Sequence, residues 1–145
     1  VWAPVLGQYA LRIGCVPVNR GKRSEAIRKM LRRVQLGTSP AGQLIIYPQG
    51  TRVAPGDHKP YKIGAGLLYL ETAQVCVPAA TNVGLFWPRY GIYRKPGVAV
   101  VEFLPKIGQG LNKEEFMSVL ERSIETGSNK LMKEAGFIGI HSNAR

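Results

Sequence analysis

The sequence predicts an α/β fold: a mixed, largely parallel sheet flanked by helices. Three observations carry this. Short apolar runs of strand length recur at residues 15–18, 43–47, 75–80 and 98–103. They are continuous rather than alternating, which suits strands covered on both faces, as in a parallel sheet. Stretches with helical spacing lie between and after them, and alternating strands and helices build layered α/β domains.

Taken in order, residues 1–13 read as a short apolar helix with Trp2, Leu6, Tyr9 and Ala10. Residues 15–18 read as a strand that ends at Asn19, Arg20 and Gly21. Ser24 can cap a helix running to about Leu36. There Ile27, Met30, Leu31 and Val34 form one apolar stripe, and Arg28, Lys29, Arg32 and Arg33 cover the rest. Residues 37–42 form a turn cluster, and residues 43–47 a buried strand that Pro48 stops. A loop with Pro55, Gly56 and Pro60 leads to a helix over 62–73, whose apolar bulk is Leu67, Leu68 and Leu70. Residues 75–80 form another buried strand. Residues 84–97 are a loop-rich excursion with Phe86, Trp87, Tyr90 and Tyr93. After the strand 98–103, a helix over 113–135 turns Phe116, Val119, Leu120, Ile124, Leu131 and Met132 inward. The tail from Gly136 is expected to fray. No repeat, low-complexity tract or linker divides the chain, so residues 1–145 read as one domain.

Composition narrows the functional classes. The chain has 145 residues, 45% of them hydrophobic, enough for a real core. Its net charge of +11 attracts polyanions: nucleic acid, an anionic membrane surface or phosphorylated substrates. Cys15 and Cys76 each sit in an apolar stretch and read as reduced, buried thiols of a cytosolic setting. No run reaches the roughly 20 apolar residues of a spanning helix. The nearest, residues 1–18, is broken by Pro4, Gly7, Gln8, Arg12, Gly14 and Pro17, and it lacks the basic leader of a signal peptide. Membrane contact from these residues is expected to be peripheral. The first residue is Val1, so an upstream segment is expected.

The sharpest constellation is Tyr47-Pro48-Gln49-Gly50-Thr51-Arg52. A strand stops at Pro48, Gly50 allows a tight turn with exposed amides, and Arg52 follows at the strand's carboxyl end, where α/β sheets bind ligands. An arginine there can grip a phosphate through two parallel hydrogen bonds. On these residues alone, an ordinary turn with a solvated Arg52 stays equally open. Gly14 to Arg20 repeats the grammar, but by itself Arg20 fits a solvated basic patch with Lys22 and Arg23. The basic helix beginning at Ser24 reads first as a core-packing helix with a solvated face, and second as a membrane or nucleic-acid surface. His58 and His141 lack a shielded pocket and read as surface histidines. No Cys/His cluster has metal-ligand spacing, and no Walker loop or dinucleotide fingerprint is present.

Together these pieces resemble the lysophospholipid acyltransferase superfamily, the PlsC-like 1-acylglycerol-3-phosphate acyltransferases. Residues 47–52 stand where that family has Phe-Pro-Glu-Gly-Thr-Arg. Gly14-Cys15-Val16-Pro17-Val18-Asn19-Arg20 matches its earlier Gly-x-x-x-(Val/Ile)-Asp-Arg segment. Lys62-Ile63-Gly64 matches a Lys-x-Gly helix start, and Val75-Cys76-Val77-Pro78 an apolar strand ending in Pro. Trp2, Pro4 and Gly7 are similar to the stretch that leads into that earlier segment in the family.

The resemblance implies the glycerolipid acyltransferase fold. It implies that Arg20 and Arg52 bind the phosphate of a lysophospholipid, with Gly50 and Thr51 shaping the loop. Gln49, Lys62, Val77 and Pro78 would support the pocket, the last two on the acyl-donor side. The reaction implied moves a fatty acyl group from acyl-CoA or acyl carrier protein to a free glycerol hydroxyl, 1-acyl-glycerol-3-phosphate being the first acceptor expected. No metal, prosthetic group or other cofactor is implied, and the setting is the cytoplasmic face of the inner membrane. Gln49 replaces the usual Glu, and Asn19 the common Asp, so the pocket loses negative charge. The family's catalytic His-x-x-x-x-Asp is absent here: Asp57, the only Asp, precedes His58, and Ile63 holds the position where the Asp would be. The motif is expected upstream of Val1, with membrane-anchoring helices and the first sheet unit. Other acceptors, among them glycerol-3-phosphate and lyso-ornithine lipid, stay open. So do a nucleic-acid-binding module and a non-catalytic lipid-surface protein, although no recognisable nucleic-acid-binding motif accompanies the charge.

Overall fold

The computed structural model describes residues 44–88 and 92–139. Leu44 apart, these belong to one compact unit, Ile45–Arg145. The expected helices over 1–13 and 24–36, the strand 15–18, and Cys15, Arg20, Tyr90 and His141 lie outside the described residues.

The long helix forms where its pattern predicts it. It spans Lys113–Glu134 and is called α3, after the helices α1 (Gly64–Thr72) and α2 (Val83–Phe86). Asn112 and Glu115 close a capping box at its start, each side chain bonding the other's backbone N–H. Its end is a Schellman motif. Gly136 adopts φ +83°, its N–H bonds Lys133 O at 2.9 Å, and Phe137 N–H bonds Met132 O at 3.0 Å. Residues 136–139, the first part of the expected tail, are described and follow from this stop. Phe116, Leu120, Gly127, Leu131 and Met132 are buried along one side of α3, while Val119 and Ile124 are half-buried against the core.

Helix α1 packs on α3 differently from expectation. Leu68 is buried as predicted, but Leu67 and Leu70 are 41% and 47% exposed. The buried residues are Ala65, Gly66, Leu68 and Tyr69. The reason is distance. A Cβ on Gly66 would lie 3.0 Å from Lys113 Cγ and 3.1 Å from Met117 Cγ. The contact is therefore made by the helix's small residues, and its leucines at 67 and 70 face away. Tyr69 bridges the core: its ring stacks on Phe116 at 3.9 Å between centroids. Its hydroxyl donates to Gly108 O at 2.6 Å and accepts from Leu111 N–H at 3.1 Å. Ala65, Ile107 and Leu120 complete this cluster.

The sheet among the described residues is two-stranded and antiparallel. Strand β1 (Ala79–Thr81) pairs with β2 (Val101–Phe103), with Ala79 opposite Phe103, Ala80 opposite Glu102 and Thr81 opposite Val101. A bridge between Cys76 and Ile107 and the Leu104 N–H to Pro78 O bond at 2.9 Å extend the pairing. No parallel pair is present among the described residues. Strands in parallel register need a long crossover, usually a helix. Among the described residues of the connection between β1 and β2, the helix present is the four-residue α2. Asn82 fixes this return. It is 2% exposed, and its side chain accepts from Val100 N–H at 2.8 Å and donates to Val98 O.

Helix α3 covers one face of the pair. A Cβ on Gly127 would lie 2.8 Å from Ala80 Cβ, so only glycine permits that approach. The other face carries Ala79, Thr81, Val101 and Phe103 and is exposed. Three expected strands are corrected here. The buried strand 75–80 shrinks to Ala79–Thr81, with Cys76 in an isolated bridge and Val75 and Val77 49% and 53% exposed, because one edge partner is all that the described residues offer it. The strand 98–103 shortens to Val101–Phe103. Residues 44–47 form no strand at all, and Leu44, Ile45, Ile46 and Tyr47 are exposed. An apolar run states that a segment needs covering. It does not supply the neighbour, and no described strand lies beside this one.

Candidate functional site

The loop after residues 44–47 is built by a turn whose chemistry is written in its residues. Gly50 N–H bonds Tyr47 O at 2.9 Å, closing a β-turn. Pro48 sits second, where its fixed φ is preorganised, and glycine sits fourth. Gly50 has φ +65°. A side chain there would be strained, and its Cβ would lie 2.7 Å from Lys62 Nζ. Lys62 thus lies against the turn. Its backbone N–H bonds Pro48 O at 2.9 Å, so the two ends of the excursion 48–62 are pinned together. Thr51 is half-buried and Arg52 exposed. The turn therefore carries the Lys62 ammonium against its glycine and a guanidinium two residues on. Amides beside cations suit a phosphate or carboxylate.

Behind the turn stands an acid. Glu125 Oε1, on α3, accepts from Tyr61 OH at 2.9 Å and from Gln49 Nε2 at 3.4 Å. Burial first, and the Glu125 carboxylate second, push the Tyr61 phenol well above its ordinary range. Tyr61 therefore stays a donor. One turn earlier on α3, Glu121 Oε1 lies 2.7 Å from His58 Nε2. That pair is on the surface, the His58 side chain being 59% exposed, so His58 has an orienting carboxylate but no shielded pocket. Sequence reasoning missed Glu121, Glu125 and Tyr61. The one available signal was the i, i+4 spacing of the two glutamates, which puts them on one side of a helix.

The remaining predicted residues lie elsewhere. Pro78 is fully buried beside β1 and Val77 is 53% exposed, so consecutive residues face opposite ways. Arg20 lies outside the described residues. Cys76 is a free, half-buried thiol whose pKa burial raises. The described residues contain no group of His, Cys, Asp and Glu fit to hold a metal ion, and no helix among them is long and apolar enough to cross a membrane.

The family model for the acyltransferases matches residues 1–82, more than half of the chain and including the whole turn. The chain belongs to the acyltransferase family. Its curated relatives agree. It is 33% identical over 109 residues to the 1-acyl-sn-glycerol-3-phosphate acyltransferase of Limnanthes alba, and equally to that of Limnanthes douglasii. These alignments cover 74% of this chain and 38% of either relative. It is 22% identical over 105 residues to the 1-acyl-sn-glycerol-3-phosphate acyltransferase of Pseudomonas aeruginosa, covering 72% of this chain and 41% of that protein. The chain thus spans about two fifths of the length of the curated relatives it matches. No solved structure matches it. Within this member of the family, the turn 47–50 and its cations are the best-defined candidate site.

Proposed function

We propose that this chain is the phosphate-holding part of an enzyme that transfers a fatty acyl group from acyl-CoA or acyl carrier protein to a lysophospholipid. 1-Acyl-glycerol-3-phosphate is the first acceptor, as the relatives' names suggest. The observation that carries the reading is the turn itself: Gly50 held at φ +65° against Lys62, with Arg52 two residues on. The acceptor's phosphate binds Arg52, with Arg20 as its second ligand and Gly50 and Thr51 shaping the loop. Gln49 and Lys62 support it, and Val77 and Pro78 support the acyl-donor side. The acceptor hydroxyl attacks the thioester carbonyl, the thiolate leaves, and the hydroxyl proton passes to a histidine of a His-x-x-x-x-Asp motif outside these 145 residues. The phosphate site supplies orientation, and holding two reactants in line accelerates their reaction.

The same reading places the parallel part of the sheet outside the described residues. It places the enzyme at the cytoplasmic face of the inner membrane. Trp87, Ile92 and Tyr93 are exposed beside Arg94 and Lys95, and Arg94 lies 4.1 Å from the Trp87 ring centroid. Amphipathic aromatics next to cations suit a lipid headgroup region.

Acyl transfer by the full-length protein from labelled acyl-CoA to lysophosphatidic acid tests the proposal. Arg52→Ala should raise the acceptor KM roughly tenfold or more, as loss of a charge-assisted contact does. An acceptor KM equal to wild type would refute the phosphate role.

A further inference from the structure

We propose that Glu125 is the positioning residue of the loop 47–52, and that glutamine at position 49 is fitted to it. The inference rests on the phosphate reading of that loop. Glu125 reaches both ends of the excursion 48–62 through a single atom. Gln49 lies at its entry, Tyr61 lies next to Lys62 at its exit, and both donate to Glu125 Oε1. Because Lys62 packs against Gly50, the carboxylate sets where the cation stands relative to the turn.

The support is rigid. Helix α3 is capped at both ends and anchored through Phe116 and Leu120, which are 2% and 4% exposed. Two of the chain's nine acids, Glu121 and Glu125, meet residues 49–61 although the chain carries twenty basic residues. A carboxylate accepts hydrogen bonds and donates none. Its partners must therefore be donors, and Gln49 and Tyr61 are neutral ones. A glutamate at position 49 would set two carboxylates against each other beside the anion site, which disfavours both being ionised at once. The fit is specific: a donor at 49, an acceptor at 125, and one negative charge between them.

The test is a charge swap in the full-length protein, with kinetics for lysophosphatidic acid and acyl-CoA measured separately. Gln49→Glu should raise the acceptor KM about tenfold at neutral pH and leave the donor KM near wild type. The difference should narrow as the pH is lowered, because the paired carboxylates then share a proton. Adding Glu125→Gln restores a donor facing an acceptor, and the double variant should return the acceptor KM to within about twofold of wild type. Tyr61→Phe, which keeps the ring and removes one of the two bonds, should raise the acceptor KM about threefold. It serves as the second variant if Gln49→Glu fails to fold. A double variant no better than Gln49→Glu overturns the inference. So does rescue of the melting temperature without any change in acceptor KM, since Glu125 would then merely hold the loop shut. Failure of the phosphate reading has its own signature, Arg52→Ala with an unchanged acceptor KM.

Discussion

Helix α3 and residues 44–47 are equally plain in the sequence and end in opposite conditions. The helix has an apolar stripe, a cap and a glycine stop, and it buries Phe116 to 2% exposure. The apolar run has only its hydrophobicity, and it leaves Ile45 at 74% and Tyr47 at 80%. A helix satisfies its backbone hydrogen bonds within itself, so periodicity and caps suffice to form it. A strand borrows them from a neighbour, so an apolar run is only half of the specification.

The widest test of this contrast is truncation at either place. Phe116→Ala should cost about 3–5 kcal/mol in denaturant unfolding, whereas Ile45→Ala should stay within about 0.5 kcal/mol. Equal losses would mean that residues 44–47 are buried in solution. Next in size is Gly127→Ala, whose new methyl would meet Ala80 at 2.8 Å. It should destabilise by about 1–3 kcal/mol, and an unchanged melting temperature would show α3 standing further off the sheet. Removing the cap with Asn112→Ala should cost about 1 kcal/mol and show first as lost protection from hydrogen exchange in the first turn of α3.

The smallest effect is alkaline. The Tyr61 pKa is raised above its ordinary 10.0, so the folded state holds that proton where the unfolded state loses it. The contribution is fully present below pH 10 and declines above it. Tyr61→Phe should flatten that decline in melting temperature against pH, and a slope identical to wild type would rule the linkage out.

The loop was legible in part. Pro48 and Gly50 announce a turn, because one presets φ and the other tolerates the left-handed region. Arg52 announces a possible anion ligand. Glu125 could not be found this way, since it is 76 residues from Gln49 and is joined to it only by the packing of α3. Leu67 and Leu70 misled for a related reason. Hydrophobicity marked them for burial, but an approach so close that a Cβ on Gly66 would lie 3.0 Å from Lys113 Cγ selected the small side of α1.

The local chemistry of the chain therefore settled where helix α3 begins and ends and where the turn 47–50 lies, because caps, glycines and periodicity act within a few residues. The family likeness was legible too, through motifs that are each short and contiguous. The antiparallel return of β1 onto β2 and the acid behind Gln49 were decided only by tertiary packing. Each depends on which distant segment arrives as a neighbour, and that choice is made by excluded volume and hydrogen-bond pairing across the fold.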